Sequence, residues 1–189
     1  GLASSSRGYT FVPRTLDGGA FAFVVTGPDG APVTAFDEAH EKRMHLIVVR
    51  RDTTAYQHVH PELAADGTWT VPLTLPVGGS YRAFADFVPT GGAATTLGVD
   101  LAVPGTFEPQ QHVPSRVAQV DGYTVELTGD LAPGGASPLT LTVSRNGGAG
   151  DRSRPVSRAY GHLVALREGD LAFLHVHPRG RGAGPPGPV

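Results

Sequence analysis

Between residues 9 and 103 the chain consists of short apolar-rich runs separated by turn residues. Val71, Leu73 and Leu75 alternate with Thr70, Pro72 and Thr74, the two-residue period of a strand with one buried face. The runs predict strands over Tyr9–Val12, Ala20–Val25, Val33–Phe36, Met44–Arg50, Ala55–His60, Thr68–Leu75, Ser80–Val88 and Thr95–Val103. Between them lie Asp17-Gly18-Gly19, Gly27-Pro28-Asp29-Gly30, Asp66-Gly67 and Pro76 through Gly79. These residue types supply the backbone angles that tight turns need.

Eight strands spaced by about 8–12 residues point to a β-sandwich of immunoglobulin-like size. After a Pro- and Gln-containing connector that holds His112, the pattern begins again. Asp121-Gly122-Tyr123-Thr124 answers Gly8-Tyr9-Thr10, Pro138–Arg145 answers Ala20–Thr26, and Pro155-Val156 answers Pro32-Val33. The expected fold is therefore all-β, with two immunoglobulin-like β-sandwich repeats. The first spans residues 8–103, a linker 104–120, a second, partial repeat 121–178 and a flexible tail 179–189. The second repeat is expected to be incomplete, because three further strands follow the corresponding point in the first. A sandwich without them leaves sheet edges and a core face open. The second repeat is thus expected to pack on the first, to pair with a second copy or another partner, or to continue beyond the sequence in hand.

The two repeats align without a gap over Met44–Pro61, MHLIVVRRDTTAYQHVHP, and Gly161–Pro178, GHLVALREGDLAFLHVHP. Each stretch has a His-Leu pair, then His-x-His-Pro beginning thirteen residues after the first His. His45, His58 and His60 thus correspond to His162, His175 and His177, six of the eight histidines in the chain. An antiparallel hairpin closing around Asp52-Thr53 sets residue i opposite residue 105 − i. His45 then faces His60, with Cβ atoms about 4.5–5.5 Å apart. His58 shares their face, about 6.5–7 Å along the strand. The second copy closes around Gly169-Asp170 and sets His162 against His177, with His175 on the same side. A slip of one residue would send His45 to the other face.

Three neutral imidazoles at this spacing suit a divalent transition metal with metal–nitrogen bonds of about 2.0–2.1 Å. The lack of cysteine and the single methionine argue against a copper(I) site and favour copper(II), with zinc as the other candidate. A fourth position could be taken by water, Met44, Glu62 or Asp86. Asp86 puts a carboxylate into the otherwise apolar run Tyr81–Val88. It is a candidate ligand, a partner fixing an imidazole tautomer, or simply a buried hydrogen-bond acceptor. The second copy has Gly161 in place of Met44 and no counterpart of Asp86. Neither is essential if both copies bind metal. The competing reading makes the histidines hydrogen-bonded residues that rigidify a structural or interaction module, with Ile47 and Val49 on the same face to bury them. His40 and His112 read as solvated loop residues, Trp69 and Tyr81 as core aromatics.

Composition removes several other classes. Gly (26) and Pro (17) are abundant and charged residues make up only 17%, which fits many turns and few long helices. A net charge of −2 lacks the basic stripe of a nucleic-acid binder. No run of 18 apolar residues is present, so membrane association is expected only through segments not present here. Zero cysteines exclude disulfides, thiolate sites and a cysteine nucleophile. Gly-x-Ser-x-Gly, phosphate-loop and His-Glu-x-x-His motifs are missing, and no general base stands beside a three-histidine metal that could activate water. A non-enzymatic role is expected. The start GLASSSRGYT suggests a trimmed product.

Met44–Pro61, then Asp66-Gly67-Thr68-Trp69 and Tyr81-Arg82-Ala83-Phe84-Ala85-Asp86-Phe87, resembles a group of secreted or membrane-anchored actinobacterial proteins. Their shared pattern is His-Leu, a short turn, His-x-His-Pro and a later aromatic-Ala-Asp-Phe strand; the second copy matches it through Ala159–Pro178. These proteins look like distant relatives of the periplasmic copper-handling β-sandwiches. The resemblance implies metal binding or metal resistance outside the cytoplasm, by sequestration or delivery of the ion.

Overall fold

The computed structural model describes residues 2–132, 137–145 and 163–176. Among these, every regular element is a strand. The chain divides into two compact units, Gly1–Gln111 with Val164–Leu174, and His112–Leu163 with His175–Val189.

The first unit contains β1 (Ser5–Ser6), β2 (Tyr9–Asp17), β3 (Ala20–Thr26), β4 (Phe36–Asp37), β5 (Met44–Arg50), β6 (Gln57–Val59), β7 (Glu62–Leu63), β8 (Thr68–Pro72), β9 (Gly79–Pro89) and β10 (Thr95–Val103). They form two sheets, ordered β1-β2-β3-β8-β7 and β10-β9-β5-β6, with β4 pairing to β9. One core fills the space between them. Phe11, Phe21, Phe23, Trp69 and Val71 meet Met44, Leu46, Val48, Tyr81, Ala83, Ala85, Leu97 and Leu101. Each large side chain withdrawn from water here contributes about 1.5–3 kcal/mol. Trp69 and Tyr81 are core aromatics, as the sequence predicts; the Tyr81 hydroxyl donates to Val77 O at 2.7 Å.

Three predicted strands are shorter than expected. Thr68–Leu75 ends at Pro72, and of Val33–Phe36 only Phe36 is kept, in a strand Phe36–Asp37. Pro32 has no N–H to extend a ladder, and its contact with β3 is a single bridge to Thr26. Ala55–His60 reduces to Gln57–Val59, because the turn before it is wide and holds Thr53 (φ 68°) and Ala55 (φ 49°) in the left-handed region.

The hairpin register matches the expected one. Leu46 pairs with Val59, Ile47 with His58 and Val48 with Gln57. On its other edge β5 pairs with β9, setting His45 opposite Asp86, Ile47 opposite Phe84 and Val49 opposite Arg82. Strand alternation then sorts the side chains. Met44, Leu46 and Val48 enter the core, and His45, Ile47 and Val49 take the outer face.

The outer face is covered in part by the second repeat's hairpin, β14 (Leu163–Leu166) and β15 (Phe173–Val176). Leu171 and Phe173 are buried against Ile47, Val49 and Phe84, with Val164 and Leu166 beside them. The Phe84 and Phe173 rings lie 5.2 Å apart. By the repeat alignment Val164 and Leu166 are the counterparts of Ile47 and Val49, so equivalent apolar positions of the two hairpins meet. Phe173→Ala is expected to destabilise the full chain by about 3 kcal/mol and to speed proteolysis within 163–176. Unchanged denaturation and cleavage would contradict this packing.

In the second unit β11 (Val117–Val120), β12 (Tyr123–Thr128) and β13 (Thr140–Arg145) form an antiparallel sheet. The stretch read as a linker is ordered at its start. Phe107 lies under the Arg50 guanidinium, 4.6 Å from ring centroid to Cζ, and Gln110 N–H donates to Asp52 at 2.8 Å.

Candidate metal site

The site grows from the start of β5 and the end of β6. Because His45 is on the outer face and the register sets residues 58 to 60 alongside it, three imidazoles converge. Ring centroids are 5.3 Å apart for His45 and His58, 5.0 Å for His45 and His60, and 5.1 Å for His58 and His60. One ligand nitrogen from each lies within 4.8 Å of the other two. With metal–nitrogen bonds of about 2.0–2.1 Å, a ring centroid sits about 3.2 Å from the ion, so rings at tetrahedral angles are about 5.2 Å apart. The observed spacings match that figure.

Burial falls from one ring to the next. His45 is only 4% exposed, His58 is half-buried and His60 exposed. His45 is held at both nitrogens. Its Nε2 lies 2.9 Å from the Ala39 carbonyl. A carbonyl can only accept, so Nε2 carries the proton. In the neutral ring Nδ1 keeps its lone pair, directed at His58 Nε2 at 3.0 Å. A carbonyl on the far nitrogen is the usual way to set the tautomer and orientation of a metal-ligating imidazole. Donor atoms around a tetrahedral ion are about 3.3 Å apart, so His45 and His58 need to separate by only a few tenths of an ångström. Any wider gap involves His60, whose exposed ring is free to turn.

The Ala39 carbonyl is itself fixed. Ala39 N donates to Lys42 O at 2.8 Å and Lys42 N to Ala39 O at 3.2 Å, a tight turn with His40 and Glu41 at its tip. His60 titrates below its ordinary range, first because burial disfavours its charged form, then because His45 and Lys42 repel the added charge. A ring kept neutral is a ring able to ligate.

The accessory candidates do not join the three histidines. Met44 is 1% exposed inside the core, on the opposite face of β5 from His45; neighbours along a strand point to opposite faces. This corrects the expectation of a thioether ligand. Asp86 stands opposite His45 in the ladder, and its Oδ1 accepts a 2.6 Å bond from Thr96 Oγ1. Hydrogen-bond acceptor is therefore its observed role. Glu62 is exposed and pairs through β7 with Thr70 on the other sheet. Of the second set, His162 and His177 lie outside the described residues, and only the backbone of His175 is described, in β15.

His40, read from the sequence as a solvated loop residue, is exposed in a turn. Its ring lies 6.1 Å from that of His45, nearly perpendicular. Nothing in strand periodicity flags a residue that arrives through an irregular turn.

A family model described as a domain of unknown function (DUF8832) matches residues 15–105 and 118–188. The two segments follow the two repeats. Neither a curated protein nor a solved structure matches the chain.

Proposed function

We propose that the chain, which belongs to this DUF8832 family, binds a divalent transition metal through His45, His58 and His60. The observation that carries the reading is the pre-set His45. Its tautomer is fixed by Ala39 O, its Nδ1 is hydrogen-bonded to His58 Nε2, and all three ligand nitrogens lie within 4.8 Å. Copper(II) is favoured over zinc because a given nitrogen site binds it more tightly. His162, His175 and His177 are proposed as a second site on the strength of the repeat alone. Sequestration or delivery outside the cytoplasm is the role we infer, supported by the resemblance to copper-handling sandwiches and by the lack of catalytic motifs.

A metal titration followed by thermal melting tests this. Copper(II) or zinc at a hundred times its Kd is expected to stabilise the chain by about 2.7 kcal/mol, and a chelator to reverse the shift. Affinity is expected to fall as pH drops from 7 to 5, by about tenfold per pH unit for each imidazole protonated. The sign follows from competition: protons and metal seek the same lone pairs. His60 titrates below its ordinary 6.5, so its own proton competes less above that pH. A chain whose melting ignores both metals up to millimolar concentration would leave the hydrogen-bonded, structural role as the better account.

A further inference from the structure

We propose that His40 is the fourth ligand of the ion held by His45, His58 and His60. This rests on the metal-binding reading above. Three imidazoles leave a coordination position open, and the turn Ala39–Lys42 stands beside it. That turn is fastened to the site through the Ala39 carbonyl, which accepts from His45 Nε2 at 2.9 Å. His40 at its tip is exposed and its ring is already 6.1 Å from that of His45. Ring centroids sharing an ion lie about 5.2 Å apart at tetrahedral angles and about 6.4 Å apart when trans in a plane, given bonds of about 2.0–2.1 Å. The His40–His45 separation falls between these limits, and the His40 ring, outside the group of the other three, would turn toward them on binding.

The backbone supports the assignment. His40 (φ 53°) and Glu41 (φ 67°) both occupy the left-handed region, where side-chain-bearing residues are uncommon. A two-residue turn of this kind requires that region at both central positions, and the bonds between Ala39 and Lys42 close it. Two in succession lift the tip of the turn beside the cluster. A fourth imidazole would complete a four-nitrogen donor set, which suits copper(II) and zinc alike. The second repeat offers no equivalent: six residues separate Val156 from His162 where twelve separate Val33 from His45, and none of those between Val156 and His162 is a histidine. The two histidine sets are therefore unequal, the first being the stronger.

The test uses the full chain with the second set silenced by His162→Ala and His177→Ala, titrated with copper(II) alone. His40→Asn removes the imidazole while keeping a residue that tolerates the left-handed region. The expected result is at least a tenfold loss of copper(II) affinity, one fewer nitrogen in the electron paramagnetic resonance hyperfine pattern, and unchanged melting of the metal-free protein. If His45→Ala abolishes binding while His40→Asn alters neither affinity nor spectrum, the fourth-ligand assignment is wrong and the three-histidine site stands. If His40→Asn lowers metal-free melting and affinity together with the nitrogen count unchanged, His40 is a turn residue only. No copper(II) binding by the parent chain would overturn both readings.

Discussion

His45→Ala is expected to weaken copper(II) binding at the first site by at least about a hundredfold. Even changes to the groups that orient metal-bound histidines cost about 10–100-fold, and here the ligand itself goes. The loss exceeds that expected for His60 because the two rings reach the ion differently. His60 is exposed and must be ordered on binding, whereas His45 is 4% exposed and fixed by Ala39 O and His58. Removing it also strips the Ala39 carbonyl and His58 of a partner, so the metal-free protein should lose about 1–2 kcal/mol. The two effects separate by experiment. Isothermal titration reads affinity, and melting in chelator reads the metal-free fold. A variant that loses stability but keeps wild-type copper(II) and zinc affinity would show that His45 is structural and that the ion, if any, sits elsewhere.

The hairpin was legible because two local rules agree there. The apolar run from Met44 to Arg50 and the turn at Asp52-Thr53 set a register that the repeat stated a second time, and Leu46↔Val59 through Val48↔Gln57 follow it. That register is also why His45, Ile47 and Val49 share a face. The pleat of a strand excludes Met44 from the site once His45 is outward. Other features depended on contacts distant in sequence. Asp86 reads as a carboxylate in an apolar strand, but its assignment to Thr96 needs the β9–β10 register. His40 enters by a turn whose two left-handed residues are not glycine, so no composition signal marks it. The burial of Ile47 and Val49 under Leu171 and Phe173 required knowing where the second hairpin packs, one of three possibilities open from sequence alone.

Asp52→Ala is expected to destabilise the protein by about 3 kcal/mol or more, lowering its melting temperature by roughly 10 °C. The effect arises because this carboxylate joins three parts of the first unit. Arg50 is buried at 2% exposure, and its Nη1 pairs with Asp52 Oδ2 at 2.7 Å. The other Arg50 hydrogen bonds go to carbonyls, Glu108 O at 3.2 Å and Gly78 O at 3.1 Å, and Asp52 is the one carboxylate paired with it among the described residues. Asp52 also accepts from Thr54 Oγ1 at 2.6 Å and Thr54 N at 3.2 Å, which closes the hairpin turn, and from Gln110 N at 2.8 Å, which holds residues 106–111 against the sheet. Burial alone would raise the Asp52 pKa, but the bonds from Gln110 and Thr54 and the charge of Arg50 outweigh it and hold it at about 2. The sign of the pH dependence follows. The folded value is below the ordinary 3.8, so this contribution is complete above pH 3.8 and disappears as the pH falls through about 2. Chemical denaturation in chelator at pH 7, 4 and 2 reads it directly. The gap between wild type and variant should be full at the first two and narrowed at the third, and the metal ligands take no part. A constant gap would mean that the pair stabilises by packing alone; no gap at pH 7 would mean that the Arg50 charge is accommodated without its partner. Because the turn sets where β6 begins, and β6 carries His58 into His60, the variant should also weaken metal binding without altering the ligand set. In this fold the ion pair at one end of the hairpin helps maintain the histidine geometry at the other.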